Sequence, residues 1–298
     1  MRKTRKAAAV LTAVAMAAVS AVPAMADEIK DLYDYELQAR EIETWNVLYS
    51  QQATDLQVLT NLYDGLLESD EYGKLAPAVA ESWETEDNGI TWTFHLRQGV
   101  KWVDQNGNEK GEFTAQDFLT GLEWVLNFHK NDATNTSMPM EMIVGAEDYY
   151  NMTSELDADA GLALTAESPE FADTVGIKAI DDYTLQYTCV SEKTYFDTVA
   201  TYNCLYPISQ AMIDEIGIDG FKAATPESIW YNGAYTCTEY IKQNTKTLTK
   251  NPLYWDTEAK LFDSVTFKMV ESVDTAYQLY TTGELDHVDL SESNLTTI

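Results

Sequence analysis

Three histidines, three cysteines and 19 basic residues are all that this 298-residue chain sets against 49 carboxylates. It has no Cys-x-x-Cys pair and no His-Glu-x-x-His, so the usual spacings of a thiolate or imidazole metal site are missing. It also lacks a Gly-x-Ser-x-Gly elbow and a phosphate-cradling glycine loop, which removes the common signals of a serine nucleophile and of a nucleotide site. Asp157 to Gly161 starts like a calcium loop. The sixth position is then Leu162 where glycine is needed, and the twelfth is Ser168 where glutamate is needed. His95, His129 and His287 are scattered, and His95 falls on the polar face of a strand. No enzyme activity and no metal or cofactor is expected. Carboxylates are so numerous that a close pair carries no weight by itself, although a secreted acidic hydrolase is the rival to test.

Long apolar runs are also scarce. Beyond the N-terminus no stretch approaches the roughly 20 residues of a membrane-spanning helix. At the N-terminus, Arg2, Lys3, Arg5 and Lys6 precede an apolar run from Ala7 to Val22, and Ala24-Met25-Ala26 then leads into Asp27. A basic head, a short apolar segment and small residues before an acidic start make a secretory signal peptide, expected to be cleaved after Ala26. The formal charge of −30 becomes −34 once the four basic residues of the leader are gone. Such a surface repels phosphate backbones and anionic lipid, so nucleic acid is excluded as a partner.

Cys189, Cys204 and Cys237 form an odd set, and their spacing fixes no disulfide. Cys189 shares an apolar strand face with Leu185 and Tyr187, which predicts burial. Eighteen Tyr and seven Trp are abundant, and such side chains offer rigid contact area with one polar handle. Strand periodicity nevertheless assigns Trp83, Trp92 and Trp102 to the core.

Read along the chain, Ile42 to Tyr49 is an expected first strand, and Ser50 to Ala53 a polar loop. Thr54 is the expected N-cap of a helix carrying Leu56, Leu59, Leu62, Tyr63 and Leu66. Glu81 to Glu86 and Thr91 to Arg97 form a hairpin around Asp87-Asn88-Gly89, with Trp92, Phe94 and Leu96 on one face. Asn106-Gly107 marks another turn. Thr114 to Asp117 reads as a capping box for a helix with Phe118, Leu119, Leu122, Val125 and Leu126. From Asn131 to Asp173 an acidic surface excursion with short helices is expected. Strands follow at Val175 to Ile180 and Thr184 to Val190, and short helices near Tyr195 to Val199 and Gln210 to Ile216. Ala234 to Ile241 pairs with Thr247 to Lys250, Val265 to Met269 is a strand, and a helix from Asp274 to Thr281 stops at Gly283. No regular strand-helix beat occurs, so a simple doubly wound sheet is excluded.

From Asn61 onward these pieces resemble the family 5 extracellular solute-binding proteins. Leu62-Tyr63-Asp64-Gly65-Leu66 is similar to the family's helix end, and Leu75 to Trp83 to its "P-x-L-A-E-S-W" segment. Gly89 to Arg97 with Val100-Lys101-Trp102, and Phe113 to Phe118, resemble its strand and its "T-A-x-D-F" helix start. Val175 to Leu185, Asn232-Gly233-Ala234-Tyr235, Asn251 to Trp255 and Gly283 to Asp286 continue the series. Residues 42–53 match in outline only, and Gln105 to Glu112 lengthens a loop that is short in the family.

The resemblance implies an α/β (mixed α+β), periplasmic-binding-protein-like type II fold of two lobes, with the second lobe missing from this chain. The implied division is a signal peptide at 1–26, a first part of lobe I at 27–57, an inserted small subdomain at 58–182, a return to lobe I at 183–288, and the start of the second lobe at 289–298. It implies an oligopeptide held in a cleft between lobes by strand-like main-chain hydrogen bonds, and delivery to the permease subunits of an ABC importer by a monomer. Gln51, Gln52 and Ala53 are the implied contacts to peptide main chain, Tyr231 and Asn232 are second ligand-binding candidates near the hinge, and Ser137, Met138 and Met140 are candidates for the far wall. Oligosaccharide, nickel or haem cargo are the alternatives within the class.

Overall fold

A computed structural model describes residues 30–291 except 71 and 133, and residues 1–26 of the expected signal peptide lie outside that range. The chain opens with β1 (Asp31–Leu37), helix α1 (Ala53–Leu59), the pair β2 (Leu67–Ser69) and β3 (Leu75–Pro77), and the hairpin β4 (Ala80–Glu86) and β5 (Thr91–Leu96). A short pair β6 (Lys101–Val103) and β7 (Glu109–Glu112) leads to α2 (Gln116–Leu126), α3 (Phe128–Asn131), α4 (Ser137–Met142), α5 (Ala146–Glu155), α6 (Ala158–Leu162) and α7 (Pro169–Ala172). Then come β8 (Ile177–Asp181), β9 (Thr184–Thr188), α8 (Phe196–Val199), α9 (Gln210–Lys222), β10 (Tyr235–Ile241), β11 (Thr245–Lys250), β12 (Ser264–Val270) and α10 (Val273–Thr281).

Two four-stranded sheets organise these elements. One has the order β1-β12-β11-β10, with β1 parallel to β12 and the other pairs antiparallel. The other, β4-β5-β9-β8, is antiparallel throughout. On β5 the alternation works as expected: Trp92, Phe94 and Leu96 are buried, and Phe94 sits opposite Leu185 and Trp92 opposite Tyr187. Burying a side chain such as Phe94 contributes about 1.5–3 kcal/mol, so these rows decide which face of the sheet turns inward. Trp102 is in the core as well, but Trp83 is only half-buried because β4 is an edge strand.

Helix α2 is buried on every side from Asp117 to Leu126, which makes it the central helix. Gly121 permits this. A Cβ there would meet the Tyr206 carbonyl oxygen at 2.1 Å. The capping box is half made: Asp117 accepts the Thr114 amide at 2.9 Å, while Thr114 itself makes no cap bond. One continuous apolar cluster threads both sheets and α2, and a small satellite of Val270, Ala276 and Leu285 lies under α10.

Several expectations change. Ile42 to Tyr49 is not a strand. Its apolar residues are buried, but side chains satisfy its backbone: Asn46 Oδ1 accepts the Leu48 amide at 3.1 Å, and Thr44 Oγ1 accepts the Asn46 amide at 3.1 Å. The first strand is Asp31–Leu37, whose polar composition hides it. Helix α1 ends at Leu59, and Leu62, Tyr63 and Leu66 reach the core from the turns that follow. Its N-cap is Gln52, without a side-chain bond, and Thr54 lies inside the helix. The excursion after Asn131 has the short helices but also buries Tyr149 and Phe171. Helix α9 runs past Ile216 to Lys222 through a break at Gly217, where φ is +76°. The expected boundary at 182/183 falls in the tight turn between β8 and β9, two strands of one sheet.

Candidate ligand-binding site

The loop between β1 and α1 is a rigid stem with an exposed tip. Val47, Leu48 and Ser50 are buried, whereas Gln51, Gln52 and Ala53 are exposed. Asn135 Nδ2 donates to the carbonyls of Leu48 and Ser50, both at 2.9 Å. From the other side, Asn203 Nδ2 donates to Val47 O at 2.6 Å and Ser50 O at 3.0 Å. Asp55, fully buried, accepts the Glu43 amide at 3.1 Å and the Ser50 hydroxyl at 3.0 Å. Ser50 Oγ accepts in turn from the Gln52 amide at 3.2 Å. Two side-chain amides and one carboxylate therefore do the work of a β-ladder, and the tip rests on a scaffold that packing has fixed.

A depression of about 380 Å³ opens beside this tip, lined by Glu43, Tyr49, Ser50, Gln51, Gln52 and Asp55. Thr134 closes one side. The Tyr49 hydroxyl donates to Asp132, and Asp132 pairs with Lys222 at 3.1 Å. Across α1 a smaller hollow of about 160 Å³ is lined by Leu56, Thr60, Tyr202 and Tyr206, with Tyr202 strongly exposed. A third depression, about 390 Å³, lies between β1, Thr54 and the segment carrying His287 and Asp289.

The sequence-derived candidates separate into two places. Gln51, Gln52 and Ala53 form the tip, and the Thr134–Asn135 segment against it runs directly into α4. Ser137 is therefore exposed close by in the chain, while Met138 and Met140 are half-buried against the core. Tyr231 and Asn232 are elsewhere and inside. Tyr231 is fully buried, stacks on Tyr63 and donates its hydroxyl to Pro226 O at 2.5 Å. Asn232 accepts the Asp64 amide at 3.1 Å and donates to Asp64 O at 3.0 Å. The Asn232 side-chain amide is committed to the Asp64 turn, whereas Tyr231 gives its hydroxyl to Pro226 O and its backbone to Val103, so both side chains are engaged within the fold. Asn135, Asn203 and Asp55 were missed, because an amide or carboxylate that straps a distant loop leaves no mark in local spacing. The one local hint is Asn135, whose φ of +55° suits asparagine.

Other buried carboxylates are handled differently. Burial pushes Asp64 up to about 6, although Trp255 Nε1 donates to it at 2.7 Å. It pushes Asp117 up to about 7 despite the Thr114 amide and Trp102 Nε1. Lys246, fully buried, pairs with Glu36 at 2.6 Å and Glu41 at 2.8 Å. Burial raises Glu36 against the pull of Lys246. It also raises Glu41, but Lys246 and the amides of Gln243 and Ile42 more than offset it and leave that group low. All three cysteines are buried free thiols, with Cys189 pushed up to about 11 and Cys204 and Cys237 to about 12 by burial. Such thiols are poor nucleophiles. Among the described residues no group of three or more His, Cys, Asp or Glu is placed to hold a metal ion, and no helix is long and apolar enough to cross a membrane.

The motifs and the two four-stranded sheets agree with what comparison gives. The family described as bacterial extracellular solute-binding proteins, family 5 middle region, matches residues 74–298. The chain belongs to this family, whose members are substrate-binding transport proteins. It is 33% identical to the oligopeptide-binding protein AmiA of Streptococcus pneumoniae over 266 residues, 89% of this chain and 37% of that protein. It is 32% identical to the periplasmic oligopeptide-binding protein OppA of Escherichia coli over 226 residues, 76% of this chain and 37% of that protein. The substrate-binding domain of an oligopeptide ABC transporter from Bacillus anthracis superposes with a TM-score of 0.75 at 26% identity, covering 90% of this chain and 47% of that one. The chain thus spans less than half the length of these relatives, as a partial periplasmic-binding-protein-like fold.

Proposed function

We propose that this chain supplies part of the ligand-binding cleft of an exported solute-binding protein that captures oligopeptides for an ABC importer. The observation that carries the reading is the tip Gln51 to Ala53: exposed main chain and two side-chain amides on a stem strapped by Asp55, Asn135 and Asn203. An extended peptide needs such a surface. Fixed main-chain donors and acceptors give affinity without selecting side chains, and the depressions on either side receive what projects from the peptide. The names of relatives that bind oligopeptides support the same cargo. Cleavage after Ala26, closure of a cleft by a second lobe, and hand-over of the peptide by a monomer to membrane permease subunits complete the proposal.

The test is the mass of the mature full-length protein from its host, taken under conditions that retain ligand. A residual mass resolving into peptides is expected, and a residual mass that is sugar or a metal complex would overturn the cargo. Hydrolysis of an added peptide or glycan would overturn the transport reading itself. A preparation limited to residues 27–298 is expected to bind peptide weakly, because one wall of a cleft buries too little area to offset the lost freedom of association.

A further inference from the structure

We infer that the depression beside the tip receives a cation of the cargo, an ammonium or guanidinium group. This rests on the peptide reading and narrows it. Two carboxylates reach the depression, Glu43 from its exposed rim and Asp55 from its buried floor. No lysine, arginine or histidine lines it. The nearest basic group in the network, Lys222, is spent on Asp132 and on the His129 carbonyl, to which it donates at 2.7 Å.

Asp55 makes the argument more than a matter of surface charge. Its side chain is fully buried, yet its partners are two neutral donors, the Glu43 amide and the Ser50 hydroxyl. A carboxylate offers about four acceptor positions, so half of its capacity is unused. Asp64 also meets a neutral donor, Trp255 Nε1 at 2.7 Å, beside a depression, but other buried acids of the fold are matched by a lysine. Glu123 has Lys130 at 2.7 Å, and Glu36 and Glu41 share Lys246. The rest of the wall includes Gln51, Gln52 and Thr134, whose hydroxyl donates to Asn131 O and can still accept, and no hydrogen bond or ion pair engages the Glu43 carboxylate among the described residues. The overall charge of −30 steers the same kind of ligand toward the protein.

The cation can be a lysine or arginine side chain or the free N-terminus of the peptide, and one experiment separates them. The full-length mature protein, stripped of endogenous ligand, is mixed with a pool of random pentapeptides, free or N-acetylated, and the retained peptides are sequenced by mass spectrometry. Glu43→Lys is run beside the unsubstituted protein, since Glu43 is exposed and its replacement leaves the core untouched. A side-chain occupant predicts enrichment of lysine and arginine that falls by about two- to fivefold in Glu43→Lys, the size of a solvent-screened charge pair. An N-terminal occupant predicts no such enrichment, and a similar fall in retention of the free pool with the acetylated pool unchanged. The inference is overturned if Glu43→Lys alters neither the basic content nor the preference for free amines. If the unsubstituted protein retains no peptide of any kind, it is the oligopeptide reading that fails.

Discussion

Two ends of the same segment treat buried negative charge in opposite ways. Where β1 runs out, Glu36 and Glu41 close on Lys246, which has no exposed surface and also touches Met269 Sδ at 3.3 Å. Further along, in the first turn of α1, Asp55 is more deeply buried than either glutamate but meets only neutral donors, at the edge of an open depression. The first arrangement is closed and complete: it joins β1, the turn at Glu41 and β11 into scaffold. The second is incomplete in charge though complete in geometry. Internal compensation by Lys246 holds scaffold together, and the want of it at Asp55, with the exposed Glu43 beside the same depression, is what the proposed cation would supply.

The largest effect that would break this contrast is Lys246→Met. It strands two carboxylates in the interior, and a loss of about 3–5 kcal/mol of unfolding free energy is expected from denaturant titration. A loss under about 1 kcal/mol would mean that water reaches the pair and that the contrast with Asp55 is false.

Next in size is a pH effect at Asp117, a buried acid that has neutral donors and no cavity. Its folded value is raised to about 7 from an ordinary 3.8, so the folded state holds the proton more tightly. The associated stability is fully present below about pH 4 and is lost as pH rises through about 7, with a slope of at most about 1.4 kcal/mol per pH unit. Asp117→Asn should lack this fall, because its single carbonyl oxygen can still accept from Thr114 and Trp102. Equal pH slopes for the two proteins between pH 5 and 8 would show that Asp117 stays ionised.

Smaller still is the strap. Asn203→Ala removes two hydrogen bonds to the stem and should lower stability by about 1–2 kcal/mol, with faster amide exchange confined to the neighbourhood of residues 46–52. Uniform loss of protection would make Asn203 an ordinary core residue. Smallest is Glu43→Gln, expected to leave the unfolding midpoint where it was while weakening a lysine-containing peptide more than its norleucine counterpart. A shifted midpoint would place Glu43 in the scaffold with Glu36 and Glu41.

Much of the fold was legible in the residues. Alternation of Trp92, Phe94 and Leu96, the turn at Asp87-Asn88-Gly89 and the apolar face of α2 each encode their element locally, because period and turn chemistry depend on neighbours in sequence. The resemblance through Leu62-Tyr63-Asp64-Gly65-Leu66 and Asn232-Gly233-Ala234-Tyr235 located the family. At Asn232 the same motifs coincide with a packing requirement, since its side-chain amide closes on the Asp64 turn, and Tyr231 beside it is buried against Tyr63. The first strand was misplaced because Ile42 to Leu48 is apolar enough for a ladder, and only Asn46, Asn135 and Asn203 reveal that it has none.

By itself, then, the sequence determined the elements with strong periodicity, the expected export leader, the acidity and the class of protein, all of which follow from composition and short-range order. Tertiary structure alone decided that Asp31–Leu37 lies parallel to Ser264–Val270, that the stem beneath the tip at Gln51 to Ala53 is strapped by Asn135 and Asn203, and that Asp55 is buried without a cation. Those three depend on residues separated by up to 233 positions, as at Asp31 and Ser264, where strand pairing is joined by a hydroxyl donating to a carboxylate at 2.7 Å. Local propensity carries no information about such partners, since the free energy that selects them comes from burial shared across the whole core.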